Sequence, residues 1–289
     1  MNMAVSSLAF PSRQAFVSRD VVRLGMPHLS LGGLSETWLL KELGHRHWML
    51  LAKMAGRELP DFRDESGARV YAAFAAVSIR EASLASFAEH DELVIESAIT
   101  RISGTQFASV HRLSRRGRSA GVVELVSVFV KRRVAGRNRS IMRTALDCFP
   151  PPETAEPSFK AAATAARIRA GAFEQHFGFS RSDAREIGRL LINPCPSQDF
   201  NGADLLYFTS FQSFVDRLEW ELLTPERGLT TQARDIVYRG NIEPGDRIVV
   251  TLSSVRQSEG TLAHWSQITR DSDGAPLADI FTLKRAGRR

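Results

Sequence analysis

The chain is written twice. Gly32-Gly33-Leu34-Ser35-Glu36-Thr37-Trp38-Leu39-Leu40 is matched by Phe200-Asn201-Gly202-Ala203-Asp204-Leu205-Leu206-Tyr207-Phe208, and Val70-Tyr71 by Val237-Tyr238 after a single-residue gap. Upstream, Pro27 matches Pro194, each behind an apolar run, Val21-Val22-Arg23-Leu24 and Leu190-Leu191-Ile192. A repeat of this length marks one supersecondary unit made twice, and the apolar face of each copy needs the other copy for cover.

Each copy predicts a strand, a proline-bearing loop, a long helix and then strands. Trp38, Leu39, Leu40, Leu43, Trp48, Met49, Leu50, Leu51 and Met54 cover more than one helical face, as do Leu205, Leu206, Tyr207, Phe208, Phe211, Phe214, Val215, Leu218 and Trp220. Helices this apolar are enclosed, which implies a sheet wrapped around them. The runs RVYAAFAAVSI, ELVIESAITRI, QFASVHRLSR and AGVVELVSVFVKRR follow the first helix; ARDIVYRGNI, DRIVVTLSSVRQ, TLAHWSQITRD and PLADIFTLKR follow the second. Their β-branched and alternating pattern predicts four antiparallel strands per copy, with turns at Glu243-Pro244-Gly245-Asp246 and Asp271-Ser272-Asp273-Gly274. The class is therefore α+β. The predicted division is an N-terminal extension (1–19), a first module (20–147), a proline-rich linker with an alanine-rich helix near residues 159–173 (148–187), and a second module (188–289).

Composition narrows the function. With 289 residues, 43% of them apolar, there is ample core for two modules. No window approaches the roughly 18 apolar residues of a membrane span, and the N-terminal apolar run is too short for a signal peptide, so the cytoplasm is expected. Two cysteines, Cys148 and Cys195, argue against a disulfide framework and offer no metal-ligand spacing; both read as packed thiols. Residues 101–143 hold eleven Arg and Lys against Glu124 alone, a local +10 in a chain of net charge +6, which leaves −4 elsewhere. Such a field attracts an anionic partner. Nucleic acid is disfavoured, because the basic segment lacks interleaved aromatics.

The blocks GMPHLSLGGLSETWLLKELGHRHW, RVYAAFAAVSI, DFNGADLLYFTSFQSFVDRLEW and VYRGNIEPGD, in this order, resemble the leinamycin-type (LnmK-like) acyltransferase/decarboxylase family. The resemblance implies a double hot-dog fold, two tandem modules that each wrap an antiparallel sheet around a long buried helix. It implies an acyl group moved from coenzyme A to an acyl carrier protein, with decarboxylation of a malonyl or methylmalonyl group, in polyketide-type secondary metabolism. The acyl-coenzyme A is then a substrate, no further cofactor or metal is expected, and two such chains can associate as a homodimer. Two alternatives stay open: a non-catalytic module that binds acyl thioester or carrier protein, and a hot-dog thioesterase or dehydratase.

The candidate residues follow from the chemistry of a thioester carbonyl. Helix amino ends carry unpaired N–H groups that can hold an oxyanion, which singles out Gly32, Gly33 and Leu34 before the first helix and Asn201 and Gly202 before the second. Both ends are expected to face one crevice between the modules. Tyr71, in Tyr71-Ala72-Ala73-Phe74, matches a family strand motif whose tyrosine is implied to activate the substrate or accept the acyl group. A phenol is protonated at neutral pH, near ~10 in reference pKa, so hydrogen-bond donation is the simpler role. Tyr238 occupies the matching repeat position, which also suits a structural reading. Glu36 and Asp204 sit where acids cap helices, and Glu36 doubles as a candidate base. His28, in the loop before the first helix, is a further candidate base. Asp199 and Asn201 resemble the DxNGH-like pattern of hot-dog thioesterases, with Ala203 where its histidine would stand. Arg132, Arg133, Arg137 and Arg139 are the predicted phosphate contacts.

Overall fold

The computed structural model describes residues 16–152, 159–225 and 228–287; most of the N-terminal extension and residues 153–158 of the proline-rich joint lie outside them. Chain order runs β1 (Phe16–Arg23), α1 (Glu36–Met54), β2 (Arg69–Arg80), β3 (Glu92–Arg101), β4 (Gln106–Arg115), β5 (Arg118–Arg132) and α2 (Lys160–Arg169). It continues with β6 (Gly188–Ile192), α3 (Phe208–Leu223), β7 (Leu229–Tyr238), β8 (Ile248–Ser258), β9 (Thr261–Arg270) and β10 (Pro276–Ala286). These ten strands form one antiparallel sheet in the order β1-β3-β4-β5-β2-β7-β10-β9-β8-β6. The order reads the same from both ends, as a tandem duplication requires. Within this sheet the halves are joined by the pairing of β2 with β7, in four pairs from Ala76↔Val237 to Ile79↔Arg234.

One face of the sheet holds both long helices. Leu39, Leu40 and Leu43 of α1 and Phe211, Phe214, Val215 and Leu218 of α3 pack with Val77, Ile79, Leu125 and Ile236 in a single core. Burying each such side chain stabilises the fold by about 1.5–3 kcal/mol. The helices run antiparallel: Thr37 near the start of α1 donates to Gln212 Oε1 (2.9 Å), whereas Gly44, further along α1, lies against the Phe208 ring at the start of α3. Their amino ends therefore point to opposite ends of the interface, and the single crevice expected from the sequence is replaced by two separate loci.

On the opposite face, Ala161, Ala165 and Ile168 of α2 pack on Ala76, Val126, Val128 and Val237, covering the seam between the halves. The small side chains let this helix lie close to the strands. Both helix caps differ from expectation. Ser35, not Glu36, caps α1 by accepting the Trp38 N–H (3.3 Å). The second helix starts only at Phe208, and Asp204 sits before it in a turn with a left-handed φ of 58°, so it caps nothing. Cys148 is exposed rather than packed.

Candidate functional site

The four-pair ladder between β2 and β7 ends at Ala76 and Val237. Beyond it the strands diverge, and a cavity of about 690 Å³ lies in the fork. Gly44, His45 and Trp48 of α1, with Phe74 and Phe208, line its helix side; Tyr71, Val128, Val130, Ile141 and Arg143 line the side facing α2. Arg169, the last residue of α2, sits at the apex, where its guanidinium donates to Ala75 O on one strand and Tyr238 O on the other (2.9 Å). It bridges the two carbonyls at the point where strand-to-strand pairing stops.

Tyr71 and Tyr238 both line the cavity, although not as repeat equivalents. Tyr71 is the third residue of β2 and Tyr238 the last of β7, and the antiparallel pairing of these strands brings opposite strand ends together. Tyr71 faces α2, whereas Tyr238 faces the core and donates to Phe208 O (2.9 Å).

The loop from Asn201 to Tyr207 closes the cavity beside the start of α3. Asn201 Oδ1 accepts from Ala203 N–H (3.0 Å) and Leu205 N–H (3.2 Å), and its N–H donates to Leu205 O. Asp204 N–H bonds Asn201 O, Leu206 N–H bonds Asn241 Oδ1, and Tyr207 N–H bonds Asp199 O. The Gly202 N–H is the one amide of this loop with no partner among the described residues. Gly202 lines the cavity, and a Cβ added there would meet nothing within 4 Å. An uncommitted amide beside open space is a ready hydrogen-bond donor to an oxyanion. Tyr207 also lines the cavity; burial pushes its phenol above the usual range, so the group stays protonated and able to donate.

The charge of the lining is one-sided. Arg69, Arg139, Arg143, Arg169, Arg239 and Arg270 line the cavity, and no Asp or Glu does among the described residues. No cluster of three or more His, Cys, Asp or Glu that could hold a metal ion occurs among the described residues.

Of the candidate site residues picked out in the sequence, Tyr71, Asn201, Gly202 and Arg139 line this cavity, as do Tyr238 and Ala203, while Gly32, Gly33, Leu34, His28, Glu36, Asp199, Asp204, Arg132, Arg133 and Arg137 do not. Gly33 has φ 110°, and a Cβ there would stand 2.4 Å from Leu84 O; one at Gly32 would stand 2.9 Å from Thr230 Cγ2. The pair serves close packing, and Leu34 is buried in the core. His28 accepts the Gly25 N–H at Nδ1 (2.8 Å) and sets its ring edge against Trp38, which fixes a turn outside the cavity. Asp199 accepts the Cys195 N–H (2.8 Å) through its carboxylate and so shapes the loop from behind. Arg132 donates to Ala203 O and to Asn138 Oδ1 (2.8 Å), bracing that loop; Arg133 and Arg137 do not line the cavity.

Glu36 is buried and faces Arg234 (3.3 Å), whose guanidinium also bonds Asp216 (2.7 Å). Lys284 joins Asp216 (3.0 Å) to Glu219 (2.7 Å), which meets His264 (3.1 Å). This ionic chain fills the space between the start of α1 and the side of α3. The equivalent space beside the start of α3 is the cavity. Of the two loci created by the duplication, one is open and the other is packed shut.

No family model matches the sequence, and no curated protein matches it. Solved structures do. A protein described as an oleoyl thioesterase from Lactobacillus plantarum superposes with a TM-score of 0.64 at 11% identity, covering 96% of this chain and 99% of its own. An acyl-ACP thioesterase from Bacteroides thetaiotaomicron gives 0.59 at 10% identity (93% and 98%), and the 12:0-ACP thioesterase from Umbellularia californica gives 0.58 at 11% (93% and 94%). The fold is the double hot-dog. At these identities the likeness concerns architecture. Among the described residues, no helix is long and apolar enough to cross a membrane.

Proposed function

We propose that the chain is an enzyme acting on an acyl thioester of coenzyme A or an acyl carrier protein, with its reaction centre in the fork between β2 and β7. The observation that carries this reading is the uncommitted Gly202 amide beside the cavity. A thioester carbonyl gains negative charge on oxygen whether it is attacked by a nucleophile or becomes an enolate, and a fixed N–H stabilises that charge. In this reading Tyr71 and Tyr207 are the neighbouring phenol donors, and the apolar wall of Trp48, Phe74 and Phe208 receives the acyl chain.

Among the described residues no carboxylate lines the cavity to assist an attack by water, and acyl transfer with loss of carbon dioxide from a malonyl-type group needs none. In the decarboxylation, the bond between the α-carbon and the carboxylate breaks, its electron pair passes to the thioester as an enolate, and the α-carbon then takes a proton. The arginines suit the anionic substrate. In the transfer, the thiol of a carrier arm loses its proton and attacks the carbonyl, the bond from the carbonyl carbon to sulfur breaks, and the departing coenzyme A thiolate takes up a proton to leave as free thiol. Hydrolysis is the reading that the comparisons support better, because the three similar structures described above bear thioesterase names.

The test is incubation of the purified protein with methylmalonyl-coenzyme A and propionyl-coenzyme A, with and without a carrier protein bearing its pantetheine arm. Carrier mass, carbon dioxide and free thiol are followed. An acylated carrier supports transfer, and free acid with thiol release supports hydrolysis. Thioesters that persist unchanged under every condition would sink the enzymatic reading.

A further inference from the structure

We propose that Arg69 and Arg143 form a phosphate-binding subsite at the α2-facing mouth of the cavity, for the phosphorylated end of the pantetheine arm that carries the acyl group. The inference rests on the acyl-thioester reading and adds the residues that hold the carrier.

Four of the six arginines lining the cavity are already committed. Arg139 pairs with Asp246 (2.7 Å), Arg239 with Asp279 (2.7 Å) and Arg270 with Asp273 (2.6 Å), while Arg169 is held by the two strand carbonyls. Arg69 and Arg143 are exposed and have no acidic partner among the described residues. Burial, with Arg143 and Arg239 nearby, holds the Arg169 guanidinium below its ordinary range, so the mouth already bears the cost of crowded positive charge. An anion bound there relieves that cost.

Position selects the kind of anion. Arg69 and Tyr71 are two residues apart on β2 and project from the same face. Tyr71 pairs with Val130, and Val130 pairs with Arg143, so these three lie in one cross-strand row. Two strand spacings of ~4.8 Å separate Arg143 from Tyr71 along the row, on the order of 10 Å between backbones. Both arginines line the same cavity as Gly202, and the small and apolar side chains Ala73, Val128, Val130 and Ile141 line it with them. Two exposed, uncommitted guanidinium groups beside a small and apolar lining suit a slender arm ending in a phosphate ester, which guanidinium binds through paired N–H groups.

Calorimetric titration of the full chain with propionyl-coenzyme A, propionyl-pantetheine and a propionyl-loaded carrier protein provides the test, applied to the wild type and to Arg69→Gln/Arg143→Gln. Loss of charge-assisted bonds to phosphate should weaken propionyl-coenzyme A by about tenfold or more while leaving propionyl-pantetheine, which has no phosphate, unchanged. Weakening of the carrier as well assigns the subsite to the phosphate shared by both carriers; weakening of coenzyme A alone assigns it to the nucleotide phosphates, and either supports the subsite. Arg69→Lys/Arg143→Lys should lose less, since it keeps the charge. Unchanged affinity for propionyl-coenzyme A in the Gln pair, or equal loss for the phosphate-free ligand, would overturn the proposal while leaving the thioester reading intact. A wild type that binds none of the three ligands defeats both.

Discussion

At the scale of single residues, the candidate chemistry depends on one backbone donor and a few side chains. Gly202→Ala should leave fold and activity nearly unchanged, because its Cβ would meet open space and the N–H persists. Gly202→Pro removes the donor and should lower kcat by about 10²–10³ with the circular dichroism spectrum retained. Equal turnover in both variants would remove the amide from the mechanism. A second residue-scale prediction concerns pH. His47 is fully buried between Ser109 (2.7 Å) and Ser127 (2.8 Å), and burial pushes its pKa down to about 3. Its neutral form is therefore favoured in the fold: the contribution is fully present above about pH 6.5 and is lost progressively as pH falls towards 3. Between pH 7.5 and pH 5 His47 alone should cost about 2 kcal/mol, readable as a drop in urea midpoint that His47→Gln reduces. His111, bonded to Ser97 and Ser109 and likewise depressed by burial, adds to the same trend. At this scale Tyr71 and Gly202 could be picked out from the sequence because each sat in a recognisable motif. Tyr207 was read as one more apolar helix position, Arg69 as an ordinary charged end of a strand, and Arg143 carried no local signal, because only cross-strand pairing puts it in the row of Tyr71.

At the scale of elements, the linker helix proves to be part of the cavity wall. Its alanines predicted a helix but not its contact surface. Arg169→Met removes a charge-assisted bridge between two strand carbonyls and should lower stability by about 1.5–3 kcal/mol while reducing activity. If denaturation and turnover match the wild type, the fork needs no clasp. Gly44 has the opposite constraint, since a Cβ there would stand 2.9 Å from the Phe208 ring. Gly44→Ala should therefore destabilise by about 1–3 kcal/mol and alter preference among acyl chain lengths, because Phe208 must move within the cavity wall; thermal melts and a series of acyl-coenzyme A substrates check both effects. The late start of α3 shows the limit of pattern reading. Leu205, Leu206 and Tyr207 have helical apolar spacing, yet their amides are taken by Asn201, Asn241 and Asp199, which hold the segment as a loop.

At the scale of the whole molecule, duplication makes two equivalent loci and the chain uses them differently. The locus near the start of α1 is closed by Glu36, Arg234 and Asp216, all anchored in the ionic chain that ends at His264. Arg234→Met leaves the buried Glu36 without its cation, while Asp216 keeps Lys284, and should cost about 3–5 kcal/mol in chemical denaturation, whereas replacing Glu36, Arg234 and Asp216 together by apolar residues of similar volume should recover most of that loss. A mild effect of the single change would mean that water reaches this chain. By itself the sequence determined the tandem repeat, the helix followed by four strands, the apolar faces and the basic middle segment, because periodicity and composition act locally along the chain. The tertiary structure decided that the helices run antiparallel, that β2 and β7 part after four pairs, and that only one locus stays open. Those outcomes depend on which side chains meet across the two copies, and contacts between residues more than 150 positions apart leave no trace in the spacing of either copy.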